Sequence, residues 1–267
     1  MAGDFASSLS EPLRGVVREI VRTVARPFLP ASKYLKQPLA TWPPIVGAVH
    51  ELRLPRRTQP HASPRATGAA NINIVLAMID RTISIEGDVA ECGVFRGATL
   101  VPMAVHLKQR GCGKRLLGFD SFEGYDSSIL LDIGMNAPDE PGKRVGAFSN
   151  TSRSVVLAKL RRFGADNVTL IPGYFQDSLP RCAAHRFSFV HLDLGIYQAY
   201  KECLEFFYPR MNPGGVILAN DYNKPPWPGC KKAVDEFLAG KPEKLQLVEI
   251  DNYQRYYICK IKNETVA

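Results

Sequence analysis

The sequence predicts an α/β protein: a mainly parallel, seven-stranded sheet covered by helices and closed by an antiparallel C-terminal strand pair. Three observations carry this. From residue 69 onward, short β-branched runs alternate with helical stretches, the pattern of a parallel sheet covered on both faces. The last two β-like runs, "KLQLVEI" and "QRYYICKI", follow one another without a helix, so they pair antiparallel. With 267 residues, 45% apolar and 22% charged, the chain is long enough to bury one large core.

The elements follow in order. Residues 1–67 read as a basic, Pro-rich helical extension and residues 68–267 as the main domain. Within the extension, "EPLRGVVREIVRTVARP" (11–27) places Leu13, Val16, Val17, Ile20, Val21 and Val24 on one arc of a helix, with Arg14, Arg18, Arg22 and Arg26 opposite. Such a helix can lie on an anionic membrane surface. Packing against the main domain or a second subunit is the favoured reading, and with it a homo-oligomer. Prolines recur from Pro27 to Pro64 and mark a connector. A helix over about 69–82 then leads to the strand "GDVAECG", and a helix through "ATLVPMAVHLKQRG" leads to the strand "RLLGFDSF". After an irregular stretch at 124–148 come a helix near 151–163 and the strands "NVTLIPG" and "FSFVHLDL". A helix at 197–210, the strand "GGVILAND" and the helix "GCKKAVDEFLAG" complete the series before the terminal pair.

Charge narrows the function. The net charge is +8, but residues 1–67 hold ten Lys/Arg against four Asp/Glu, a net of +6, leaving +2 for the rest. A nearly neutral main domain argues against nucleic acid as a partner. Six dispersed cysteines (92, 112, 182, 203, 230 and 259) without a C-x-x-C predict reduced thiols rather than a disulfide scaffold. There is no apolar run of membrane-spanning length, and arginines interrupt the first apolar stretch where a signal peptide would be continuous. The expectation is a cytoplasmic protein.

Ligands of open parallel sheets bind outside the carboxyl ends of the strands. Here those ends are Glu91–Gly93, Asp120–Phe122, Gly173, Asp193 and Asn220–Asp221, and four of the five carry an acid. Repeated carboxylates at buried strand ends call for a cationic or hydroxyl-rich partner. In "GDVAECGVFRGATLV" Gly93 and Gly97 let the turn approach a ligand, while Glu91 would repel a pyrophosphate and favour an ammonium or sulfonium. Asp120 stands where an acid accepts hydrogen bonds from ribose hydroxyls. The pair points to S-adenosylmethionine rather than a dinucleotide. Glu91, Cys92, Gly93, Val94, Gly97, Asp120, Ser121, Phe122 and Gly173 form the candidate cofactor-binding set. Asp193, Asn220 and Asp221, on adjacent strands, offer two carboxylates and an amide oxygen, which suit a hard cation such as Mg²⁺. That cation would orient an acceptor hydroxyl and lower its pKa. The alternative is that Asp221 caps its loop and Asp193 touches the cofactor.

The blocks "AECGVFRGA", "GFDSFEG", "GYFQDSLP", "HLDLGIYQAYKECLEFFYPRMNPGGVILANDY" and "GCKKAVDEF" resemble, in order, the macrocin O-methyltransferase (TylF-like) family over about residues 70–260. The resemblance implies a Rossmann-like class I methyltransferase fold, S-adenosylmethionine as donor and a divalent metal at the acceptor site. By position, Glu91, Gly93, Asp120 and Ser121 would contact the donor, and Asp193, Asn220 and Asp221 would hold Mg²⁺. The acceptor would be a hydroxyl of a sugar, glycan or natural-product-like small molecule. Two departures stand out. Asn220 replaces the first of two adjacent acids, removing one charge. Asp193-Leu194-Gly195-Ile196-Tyr197 lacks the second acid of the family's D-G-D-L-Y. No histidine lies in 124–150 to act as base, and His191 sits inside a strand as a core residue or a support to the site. The base is left among Asp193, a hydroxide on the metal and no protein group, with Asp193 the candidate catalytic residue. The departures also favour a second hypothesis, a silent cofactor-binding scaffold docking through its basic N-terminal helix. The 124–148 loop is long enough to be a lid. Trp227 in "NKPPWPGC" either walls the acceptor pocket or anchors its loop.

Overall fold

The computed structural model describes residues 68–130, 144–250 and 253–261. The expected helix at 11–27, the rest of 1–67 and the centre of the 124–148 loop lie outside the described residues.

The chain enters on α1 (Ala69–Arg81), then β1 (Asp88–Cys92), α2 (Leu100–Arg110) and β2 (Leu116–Asp120). It continues through α3 (Arg153–Arg162), β3 (Val168–Pro172), the short α4 (Phe175–Ser178), β4 (Phe187–Leu192) and α5 (Tyr197–Phe207). β5 (Met211–Ala219), α6 (Pro228–Leu238), β6 (Leu245–Ile250) and β7 (Tyr253–Cys259) finish the fold. The strands form one seven-stranded sheet in the order β3-β2-β1-β4-β5-β7-β6. β1 to β5 run parallel, and β7 pairs antiparallel with β5 and β6. The predicted sheet is therefore present. Sequence reading passed over α4 and the 3₁₀ turn Leu179–Cys182 that follows it. At four residues each, these turns show no apolar periodicity.

β1 and β4 are buried along their whole length, as central strands of a parallel sheet must be. Phe119, Phe187, Tyr200, Leu204 and Phe207 join Ala90, Leu192 and Ile217 in the core between the sheet and helices α5 and α6. Pro102 sits in the first turn of α2, where a missing N–H costs no intrahelical bond. Ser152 caps α3 by accepting the Val155 N–H at 3.3 Å. All six cysteines are free. Among the described residues no helix is long and apolar enough to cross a membrane.

Strand order reverses between β1 and β4, because the chain leaves β1 toward β2 and returns from β3 to β4 on the other side. The carboxyl ends of these two strands form the crevice where such sheets bind ligands.

Candidate active site

The crevice begins at Gly93. Its φ of 88° lies in the left-handed region, and an added Cβ would collide with the backbone carbonyl of Asp193. Only glycine lets the two strand ends close in this way. Asp193 N–H in turn donates to the Cys92 carbonyl at 3.0 Å, and Asn220 N–H to the Leu192 carbonyl at 2.9 Å. The three acid-bearing strand ends are thereby tied edge to edge.

Asp120 ends β2 half-buried. One carboxylate oxygen accepts the Phe95 N–H at 2.6 Å and the other the Phe122 N–H at 2.7 Å. Both donors have positive φ, 47° for Phe95 and 59° for Phe122, a conformation bulky residues adopt only when the surroundings impose it. Asp120 imposes it. It shapes the β1–α2 and β2 turns together, and each oxygen keeps acceptor capacity for a further hydroxyl. Burial raises its pKa, opposed by these two N–H groups. Gly97 turns the same loop, with its N–H on the Val94 carbonyl at 2.7 Å. Gly173, after β3, donates its N–H to the Asp120 carbonyl at 3.0 Å. Ser121 is spent on its own turn, donating to the Gly124 carbonyl at 3.0 Å and accepting the Glu123 N–H at 3.1 Å. Cys92 and Val94 are buried beneath the turn.

Glu91 is 1% exposed and lies opposite His191 in the β1–β4 register. The two side chains meet at 3.1 Å through Oε1 and Nδ1. Burial pushes the Glu91 carboxyl up to about 7, although the His191 contact pulls it down. Its Oε2 and the His191 Nε2 are buried without a hydrogen-bond partner. An orphaned acceptor beside the Gly93 turn fits a donor-bearing ligand at this strand end. The Glu91, Gly93 and Asp120 set thus suits S-adenosylmethionine.

Above the crevice stands an aromatic cluster that sequence reading only partly foresaw. Tyr125 packs edge-on against Phe148 (centroids 5.3 Å apart) and Trp227 (6.1 Å), and Phe148 against Phe95 (5.5 Å). The Tyr125 hydroxyl donates to the Leu194 carbonyl at 2.9 Å. Gly195, with φ of 74°, lies under Tyr125 and Trp227, where any Cβ would clash. Tyr125 also closes the neck of the 124–148 loop, through its N–H to the Ala147 carbonyl (3.0 Å) and its carbonyl to the Gly146 N–H (2.7 Å).

The Macrocin-O-methyltransferase (TylF) family profile matches residues 46–258. The chain belongs to this family. It is 28% identical over 224 residues, 78% of its length and 84% of the relative's, to mycinamicin III 3''-O-methyltransferase of Micromonospora griseorubida. It is 27% identical over 194 residues to 8-demethyl-8-(2,3-dimethoxy-alpha-L-rhamnosyl)-tetracenomycin-C 4'-O-methyltransferase of Streptomyces olivaceus, covering 69% of this chain and 71% of that one. In fold it is similar to the O-methyltransferase NovP, with a TM-score of 0.60 at 24% identity over 73% of this chain and 81% of the other. It also resembles the calicheamicin methyltransferase CalS11, with a TM-score of 0.60 at 18% identity over 97% of both chains. This macrocin O-methyltransferase family member is an S-adenosylmethionine-dependent O-methyltransferase with the Rossmann-like class I fold. The relatives lend no support to a silent scaffold.

The residues expected to hold a metal are engaged with protein groups instead. Asp193, Asn220 and Asp221 do converge, but both Asp221 oxygens, the Asn220 amide and Asp193 Oδ1 are already hydrogen-bonded to protein groups. Asn220 Nδ2 donates to Asp193 Oδ1 at 2.6 Å, and Asn220 Oδ1 accepts from Arg255 Nε at 2.7 Å. Asp221 Oδ1 pairs with Lys224 Nζ at 2.8 Å. Asp221 Oδ2 accepts the N–H groups of Leu194 and Gly195, each at 3.1 Å. Tyr200, wholly buried, donates to the Leu192 carbonyl at 2.9 Å and accepts the Asp221 N–H at 3.1 Å. Two protein cations therefore bind members of the set, Lys224 on Asp221 and Arg255 on Asn220. As arranged, the residues do not fit Mg²⁺. Lys224 and Arg255 escaped sequence reading because neither ends a strand. The β5–β7 register, Ala219 opposite Tyr256, is what brings Arg255 beside Asn220.

Proposed function

We propose that this chain methylates a hydroxyl on a sugar of a glycosylated natural product or glycan. The observation that carries the reading is the β1–β4 crevice, with Asp120 and the Gly93 turn on one side and Asp193 on the other. Two relatives support the acceptor class by name: one acts on mycinamicin III at 3'', the other at 4' on a tetracenomycin bearing a rhamnosyl group.

When bound, S-adenosylmethionine supplies an electrophilic methyl group on a sulfonium. Asp120, which holds the Phe95 and Phe122 turns, would accept hydrogen bonds from the ribose hydroxyls. Glu91 and the Gly93 turn would lie at the amino acid end of the cofactor. Asp193 would take the proton that the acceptor hydroxyl loses on methylation. Burial, and next the neighbouring Asp221, hold the Asp193 carboxyl above the ordinary carboxylate range, which strengthens it as a base. Trp227 and Tyr125 present aromatic surface to a sugar ring. The rest of the rate comes from placing hydroxyl and methyl in line.

The test is turnover with radiolabelled cofactor on a panel of deoxysugar-bearing aglycones, with calorimetry of S-adenosylhomocysteine binding alongside. Asp193→Ala is expected to bind the product cofactor normally and to lose turnover by about 10²–10⁴-fold. Unchanged turnover in that variant would remove Asp193 from the base role. Failure of the native chain to bind S-adenosylhomocysteine would overturn the cofactor assignment.

A further inference from the structure

We propose that the Lys224 ammonium, backed by Arg255, takes the place of a divalent cation at the β4–β5 strand ends, so that methyl transfer by this chain needs no metal. The inference rests on the methyltransferase reading above.

Charge balance is the first argument. Asp193 and Asp221 bring two negative charges to the strand ends, and Lys224 and Arg255 bring two positive ones. The cluster is neutral without a metal. A third cation there would be repelled by both side chains, with little water to screen it, since Asp221 is 3% and Asn220 1% exposed.

Residue 220 is the second argument. Its amide sits between a donor-only guanidinium and a carboxylate, which fixes its orientation: oxygen toward Arg255, nitrogen toward Asp193. An aspartate here would set two carboxylate oxygens against each other at the 2.6 Å separation now bridged by the amide N–H. Such a pair needs a cation or a shared proton between its members. Asparagine supplies a hydrogen bond instead, so the demand for a metal is gone.

Lys224 is also partly open to solvent beside the crevice. Its side chain is 27% exposed, against 4% for Asp221. An ammonium carries three N–H groups, and Asp221 Oδ1 takes one. The others are left to hold an acceptor oxygen, the orienting role that a metal would otherwise serve.

The experiment is calorimetric titration of the full chain with Mg²⁺ and Mn²⁺, with and without S-adenosylhomocysteine, beside the double variant Asn220→Asp/Lys224→Met. The native chain is expected to give no saturable heat with either metal up to about 1 mM, the weak end of biological divalent sites. Its affinity for S-adenosylhomocysteine should be the same in EDTA. The double variant, which restores a carboxylate and removes a cation, is expected to bind Mn²⁺ at least roughly tenfold more tightly than the native chain. Saturable metal binding by the native chain that disappears in Asp221→Asn would overturn the proposal. So would a folded double variant that binds metal no better than the native chain. Thermal melting reports folding, and Lys224→Met alone, expected to shift metal affinity in the same direction, carries the test if the double variant does not fold. Loss of S-adenosylhomocysteine binding by the native chain would overturn the methyltransferase reading itself, and the metal titration distinguishes that failure from this one.

Discussion

At the scale of single residues, the site is built from groups whose burial is uncomfortable. Glu91 shows this most plainly. Its carboxyl is raised from 4.5 to about 7 in the folded protein, chiefly by burial. The folded state therefore holds a proton that the unfolded chain releases between those values. The Glu91 contribution to stability is complete below pH 4.5 and falls as pH rises to about 7, after which it is level. Glu91→Gln should remove this part of the slope and stabilise the protein at pH 8 by up to about 3 kcal/mol, each pKa unit being worth about 1.4 kcal/mol. Urea unfolding at pH 5 and pH 8 reads the effect, and an equal loss of stability between those pH values in both proteins would refute it. Asp120 is the other residue carrying two tasks. Asp120→Ala frees the Phe95 and Phe122 N–H groups and removes the acceptor for ribose. S-adenosylhomocysteine affinity should fall by roughly 10–100-fold, since hydrogen bonds to a charged group are each worth about 1.5–3 kcal/mol.

At the scale of elements, the donor side of the crevice leans on α3. Thr151 Oγ1 donates to the Phe95 carbonyl at 2.6 Å, Lys159 Nζ to the Arg96 carbonyl at 2.7 Å, and Arg96 reaches back to the Asn150 carbonyl at 3.0–3.1 Å. The turn after β1 is thus held from outside as well as by Asp120. Thr151→Val keeps the shape of the side chain and removes one of these bonds. It should cost about 1 kcal/mol of stability and weaken cofactor-product binding more than it disturbs α3, as seen by comparing calorimetry with far-UV circular dichroism. The acceptor side leans instead on the C-terminal hairpin, because Arg255 arrives on β7 and Lys224 on the loop before α6.

Across the whole molecule, the crevice is where the strand order reverses, and a ligand bound there would bridge elements far apart in sequence. Binding should therefore stabilise the fold as a unit. At a hundredfold excess over Kd, S-adenosylhomocysteine adds about 2.7 kcal/mol, which for a domain of this size is a rise of roughly 5–10 °C in Tm. Differential scanning fluorimetry checks it, and a flat response at saturating ligand would contradict the assignment of the crevice.

Much of this was legible in the chain. The parallel sheet followed from alternating strand and helix patterns, and the candidate crevice from acids repeated at strand ends, because both features are local. Glu91, Asp120, Asp193 and Asp221 could be named for the same reason. What each of them does was not local. Whether Glu91 faces a ligand or a histidine depends on its register with β4, which pairs residues a hundred positions apart. Whether Asp193, Asn220 and Asp221 hold a metal depends on Lys224 and Arg255, and Arg255 reaches the site only through antiparallel pairing of the last strand. Sequence alone determined the sheet and which strand ends carry acids, since side-chain polarity against a buried strand is readable residue by residue. Tertiary structure alone decided the charge balance at those ends, since electrostatics is set by distance in space and not by distance along the chain.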